Sequence, residues 1–131
     1  MASPSISPHH SSSSTTVFGL VSETANGVKW QVAGRSLSAP YTVELNRKID
    51  PNATANDHIV LKVSRTEKNT TTSKPATGSV SVDISVPKDN TILTTAELVK
   101  MAEIAASLIN DYSASAATTT NATAFIEGSD I

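Results

Sequence analysis

The chain has 131 residues, of which 38% are hydrophobic but only 4% aromatic, and it carries a net charge of −2 and no cysteine. That length suits one domain with a real but thin core, and the missing cysteines exclude a disulfide framework, thiolate metal sites and a cysteine nucleophile. The 19 serines and 17 threonines suit solvated sheet faces and polar loops better than a dense enzyme interior.

Residues 1–14 predict a polar arm or short edge element, because Pro4 and Pro8 interrupt any ladder. The same stretch has neither a basic n-region nor an apolar h-region, and no apolar run nears the roughly 20 residues of a membrane span. The expectation is a soluble protein of the cytoplasm in which it is made, with no membrane partner. His9 and His10 have no further ligands nearby in sequence and predict a disordered arm rather than a metal site.

Strand patterns follow one another from Thr16. Thr16–Val21 predicts a strand, and "TANG" predicts a turn with Asn26-Gly27 favouring positive φ. Val28, Trp30 and Val32 then share one face against Lys29 and Gln31. Next, Tyr41, Val43 and Leu45 oppose Thr42, Glu44 and Asn46. "IDPNATAND" turns the chain back. In "HIVLKVSRT", Ile59, Leu61 and Val63 lie opposite His58, Val60, Lys62 and Ser64. "EKNTTTSKPATG" predicts a long polar loop. Val80, Val82, Ile84 and Val86 alternate with Ser79, Ser81, Asp83 and Ser85 until Pro87, which cannot donate to a ladder.

Thr94 stands three residues before Glu97, the spacing of a capping box, and predicts a helix from about Thr95. Its apolar stripe is Leu98, Met101, Ala105, Leu108, Ile109 and Tyr112, with Lys100, Glu103 and Ser107 elsewhere on the wheel. Residues 113–131 form a Thr-rich tail with room for one more short helix. The whole is one domain: the arm over 1–14, a sheet over 15–87 and a helical region over 94–131.

Charge is unevenly spread. Residues 29–74 carry eight basic and four acidic side chains, and residues 75–131 carry two basic and seven acidic ones. The middle of the chain is therefore basic and its end acidic.

Five alternating strands followed by a helix predict an α+β fold with an antiparallel meander. One helix of roughly 16 to 18 residues spans only about 25 Å. It cannot cover the apolar face of a five-stranded sheet about 24 Å wide. A second copy of the chain is the simplest cover, so an obligate homodimer is expected, each helix lying across the partner's sheet. The opposite sheet face stays polar.

In order and spacing, "ANGVKW", "YTVELNRK", "HIVLKVS" and "VSVDISVPK" leading into a helix resemble the coat proteins of the single-stranded RNA bacteriophages, the levivirus type, over roughly residues 15–112. The resemblance implies an N-terminal hairpin, a five-stranded antiparallel sheet and two C-terminal helices. It implies dimers that interlock their helices over one continuous ten-stranded sheet. Such dimers close into an icosahedral shell, helices outside and polar sheet face inside against genomic RNA, and they repress translation by binding an RNA hairpin.

Carried onto this chain, the RNA-facing residues would be Thr42, Glu44, Asn46 and Lys48 on one strand, Lys62 and Ser64 with His58 and Val60 on the next, and Ser79 and Ser81 with Asp83 on the last. Lys48 and Lys62 would neutralise phosphates, and Asn46, Ser64 and Ser81 would bond bases or sugars. Ser79 stands where family members often carry a base-stacking tyrosine, so the resemblance carries packaging further than hairpin recognition. The polar loop from about Glu67 to Gly78 matches the loop that gathers at the shell's symmetry axes. The dimer interface would be the stripe Leu98, Met101, Ala105, Leu108, Ile109 and Tyr112.

Other uses of these residues are weaker. No strand-turn-helix elbow surrounds a serine, so His58 beside Asp57 does not predict a hydrolase triad, and neither an enzyme nor a cofactor is expected. Trp30 predicts a core or interface anchor. Two alternatives of other classes stand beside the coat subunit: an exported Ser/Thr-rich surface or pilus-like adhesion subunit, and a small dimeric RNA-binding regulator without a shell.

Overall fold

The computed structural model describes residues 2–8 and 15–110. They fall into two units, a sheet unit of 2–8 and 16–88 and a helical unit that includes 89–110.

The sheet unit is a six-stranded antiparallel meander in chain order: β1 (Ser5–Ile6), β2 (Phe18–Glu23), β3 (Gly27–Gln31), β4 (Tyr41–Lys48), β5 (Asp57–Lys68) and β6 (Pro75–Val86). The sequence pattern gave five strands; the sixth is β1, from the arm. Its prolines do not prevent pairing, because a proline still accepts: the Pro4 carbonyl takes the Leu20 N–H at 2.9 Å and the Pro8 carbonyl takes the Thr16 N–H at 3.2 Å. The Trp30 indole N–H donates to the Ser3 carbonyl at 3.0 Å and ties the arm down further.

Register fixes two faces. Val43 opposes Val63 and Val63 opposes Val80, while Glu44 opposes Lys62 and Lys62 opposes Ser81, so these central rows are apolar or polar as alternation requires. A bulge in β2 shifts the phase at the sheet's other side. Leu20 opposes Trp30, but Ser22 opposes Lys29, so the extra residue, Val21, moves Ser22 to the polar face.

The core lies on the apolar face beside the arm. Phe18, Trp30 and Val43 are buried, with Ala2, Ile6, Val28, Val32, Tyr41 and Val63 packed against them. The Phe18 and Tyr41 rings meet edge to face at 5.1 Å. Toward β6 the same face is open: Leu45, Leu61 and Val82 are more than a third exposed, and Val80 is 59% exposed.

Two local expectations are corrected. The ladder between β5 and β6 continues through Thr66 opposite Thr77 to Lys68 opposite Pro75, so the long polar loop shrinks to a turn over 69–74. The Thr66 and Thr77 hydroxyls bond across the strands at 2.8 Å, and Pro75 sits at the first strand position, which proline tolerates. Asn69 organises the turn: its side-chain oxygen accepts the N–H groups of Thr71 at 2.8 Å and Thr72 at 3.0 Å. Positive φ occurs at Gly34 and Ser73, not at Asn26-Gly27. Gly27 is needed for space instead, since a Cβ there would meet Asn46 Oδ1 at 2.5 Å.

In the helical unit, α1 runs Thr95–Asn110. The capping box forms reciprocally: Glu97 N–H donates to Thr94 Oγ1 at 3.4 Å, and Thr94 N–H donates to Glu97 Oε2 at 3.3 Å. Val99, Met101, Ile104 and Ile109 are all exposed in the single chain. Tyr112, the side chain of Leu108, residues 9–14 and the region of a second helix lie outside the described residues.

Candidate nucleic-acid interface

The polar face is built by rows that cross β3 to β6. Gln31, Thr42, Ser64 and Ser79 form one row; Lys29, Glu44, Lys62 and Ser81 form the next. Gly27, Asn46, Val60 and Asp83 form the third, and Lys48, His58 and Ser85 complete the end. All eleven residues assigned to RNA by resemblance therefore share one face, although they come from three strands.

Their environments differ. Glu44 is engaged by Lys29 Nζ at 3.6 Å, and Asp83 by His58 Nδ1 at 2.9 Å. Both carboxylates on the face thus have a basic neighbour. Lys48 and Lys62 form no ion pair among the described residues, which leaves their ammonium groups open to an anion. Ser79 and Ser81 are exposed and Ser64 half-buried. Thr42 is only 7% exposed, because its short side chain lies in register between Gln31 and Ser64 with Glu44 next along the strand. It supports the face rather than presenting a group on it.

A shallow hollow of about 210 Å³ opens toward the β2–β3 end of this face, lined by Ser22, Gly27, Lys29, Glu44 and Asn46 among others. The β2 bulge delivers Ser22 to it, and the missing Cβ of Gly27 leaves room for the Asn46 amide. Lys29 and Ser22 were not singled out from the sequence. Lys29 was legible, since it alternates with Val28 and Trp30; Ser22 was not, because a bulge leaves no mark in the pattern.

Two clasps flank the sheet. Lys88 Nζ donates to Asp57 Oδ1 at 2.6 Å and to the Ala55 carbonyl at 3.0 Å, while Asp50 N–H donates to the same Asp57 oxygen. The Lys88 hydrogen bond holds the Asp57 carboxyl below its ordinary value, outweighing partial desolvation. At the other end Glu67 Oε1 accepts from Arg35 Nη2 at 2.6 Å and from Arg65 Nε at 2.9 Å. Hydrogen bonds from Arg35 first and Arg65 second lower its pKa. Both guanidinium groups also lie over the Tyr41 ring, at 5.8 and 4.9 Å from its centroid.

Among the described residues no group of histidine and carboxylate side chains could hold a metal ion, and no helix is long and apolar enough to cross a membrane.

No family model and no curated protein sequence matches the chain. Solved structures do. The coat protein of bacteriophage EMS014 is 14% identical with a TM-score of 0.72, over 100% of this chain and 99% of that one. The virus-like particle of bacteriophage AVE019 is 10% identical with a TM-score of 0.68, over 83% of this chain and 87% of its subunit. An unassembled bacteriophage coat protein, described as an RNA-binding dimer, is 13% identical with a TM-score of 0.60, over 94% and 91% of the two chains. With its strand order, its single described helix and these matches over nearly the whole length, the chain has the fold of the bacteriophage coat proteins.

Proposed function

We propose that this chain is a structural coat subunit that dimerises, assembles into a closed icosahedral shell and packages single-stranded RNA, with repression of translation by hairpin binding as a second role. The observation that carries the reading is the two-sided sheet. One face presents Lys48 and Lys62, which form no ion pair among the described residues, and the other leaves Leu45, Leu61, Val80 and Val82 exposed, while the helix exposes apolar side chains of its own. Contiguous exposed apolar side chains on one face mark a surface that another chain covers.

In this reading the helix of each copy covers the partner's apolar sheet face through Leu98, Met101, Ala105, Leu108, Ile109 and Tyr112. β6 lies at the sheet edge, and pairing with its counterpart joins β2 to β6 of both chains into ten continuous strands. That pairing removes the exposed edge. The polar faces then line the interior of a virion made in the host cytoplasm. Lys48 and Lys62 neutralise phosphates. The hollow beside Glu44 and Asn46 accepts an unpaired base, whose amino group a carboxylate or amide oxygen can accept. Ser64, Ser79 and Ser81 supply hydroxyls to sugars or bases, and Thr42 holds the row behind them.

The test is expression of the chain alone in bacteria, followed by size exclusion, the ratio of nucleic-acid to protein absorbance, and negative-stain imaging. Particles rich in nucleic acid are expected. A dimer that never assembles would favour the regulator, and a species free of nucleic acid would favour the adhesion subunit.

A further inference from the structure

The loop between β3 and β4 is tied down more firmly than a connection needs. Gly34 turns the chain with φ of 79°. Ser36 and Ser38 share a hydroxyl hydrogen bond at 2.8 Å, the Ser38 N–H donates to Ser36 Oγ at 3.2 Å, and the Ala39 N–H donates to the Ser36 carbonyl at 3.0 Å. Arg35 clamps the loop from below: its Nε donates to the Ala39 carbonyl at 2.8 Å, and its Nη2 donates to the Thr66 carbonyl and to Glu67. At the apex of this small ordered loop, Leu37 is 98% exposed.

A lone exposed leucine is ordinary. What sets Leu37 apart is its fixed presentation, together with a hollow of about 180 Å³ at the base of the same loop, lined by apolar Val32, Pro40 and Tyr41 and by polar Lys29, Gln31 and Arg35, with Leu37 itself part of the lining. Knob and hollow therefore occupy one patch of surface. A patch carrying both can meet its own copy across a two-fold axis, each leucine entering the other's hollow. Ordering costs little on contact, because the loop is already fixed.

We infer that the 32–40 loop is a contact between neighbouring dimers, with Leu37 of one chain seated against Val32, Pro40 and Tyr41 of a second copy. This inference rests on the coat reading and adds to it the surface by which dimers meet. The occupant is a second copy because both halves of the fit are present on this chain, and because a shell requires each dimer to touch others.

The experiment compares the full chain with Leu37→Ser and Leu37→Met, reading dimer and particle fractions across a dilution series by size exclusion and imaging. Leu37→Ser should leave the dimer and its circular dichroism unchanged and raise the concentration needed for particles about tenfold or more, the scale of one buried leucine. Leu37→Met, which still fills the hollow, should assemble nearly as the unsubstituted chain does. Particles from Leu37→Ser at an unchanged threshold would overturn the contact while leaving the coat reading intact. If the unsubstituted chain forms no particle, the coat reading falls and the contact falls with it.

Discussion

Lys62 stands directly opposite Glu44 across the β4–β5 ladder, yet Glu44 is also opposite Lys29 and lies 3.6 Å from its ammonium. One carboxylate thus sits between two lysines in a single row. The row retains positive charge, and Lys62 is the member without an ion-pair partner among the described residues.

Lys62→Ala should therefore weaken RNA binding without unfolding the dimer. Loss of one phosphate contact lowers the slope of log affinity against log salt by about 1. Titration of purified dimer with single-stranded RNA at several salt concentrations checks this. An unchanged slope would remove Lys62 from the interface.

Glu44→Gln should act in the opposite direction. It releases Lys29 and removes a negative charge from the same row, so affinity for RNA rises and the salt slope steepens. Weaker binding would instead show that the carboxylate itself accepts from a base.

Val82 is 37% exposed on the open apolar face. In Val82→Asp a carboxylate stays hydrated in the single chain but must lose water beneath a partner, a cost that association cannot offset without a counter-charge. The expected result is loss of the soluble dimer, read by sedimentation and size exclusion. A stable Val82→Asp dimer would mean that another surface joins the two copies.

Thr94→Ala removes half of the capping box at the start of α1 and should cost about 1 kcal/mol. Thermal unfolding followed by far-ultraviolet circular dichroism measures it. Thr94→Ser, which restores the hydroxyl, should recover most of the loss.

Acid should loosen both clasps. Asp57 and Glu67 hold their carboxyls below ordinary values of 3.8 and 4.5, so they bind protons more weakly when folded. Their contribution is present above those ordinary values and is lost as pH falls through the lowered folded ones. Urea midpoints should fall as pH drops from about 4.5 toward 2. Glu67→Gln should lower the midpoint at neutral pH and flatten this acid limb, and an undiminished acid limb in that variant would place the effect elsewhere.

Alternation made the two sheet faces legible, because a strand's period of two is independent of its neighbours. It could place Asn46, Lys62 and Ser81 on one face without knowing the register. The helix start was legible for a similar reason, since Thr94 and Glu97 act over a single turn. What escaped depends on distant partners. A short edge element was one reading of the arm, but its partner was not legible, because β1 pairs with residues more than ten positions away. The bulge at Val21 shows only in the β2–β3 register, and the burial of Thr42 depends on Gln31 and Ser64 in other strands. Gly27 had a local explanation, a turn, when its actual role is to leave space for Asn46.

The β5–β6 turn closes on itself, with the Asn69 N–H donating to the Lys74 carbonyl at 2.9 Å and the Ser73 N–H donating to the Asn69 carbonyl at 2.9 Å. Residues 70–73 therefore carry no part of the ladder, whose last rung is Lys68 opposite Pro75. A foreign peptide inserted there would lengthen a loop whose ends the hairpin already holds together, and the entropic cost of length grows only slowly. The tip is thus a natural display position: an epitope grafted between Thr70 and Ser73 would replace turn bonds alone and leave both sheet faces unaltered.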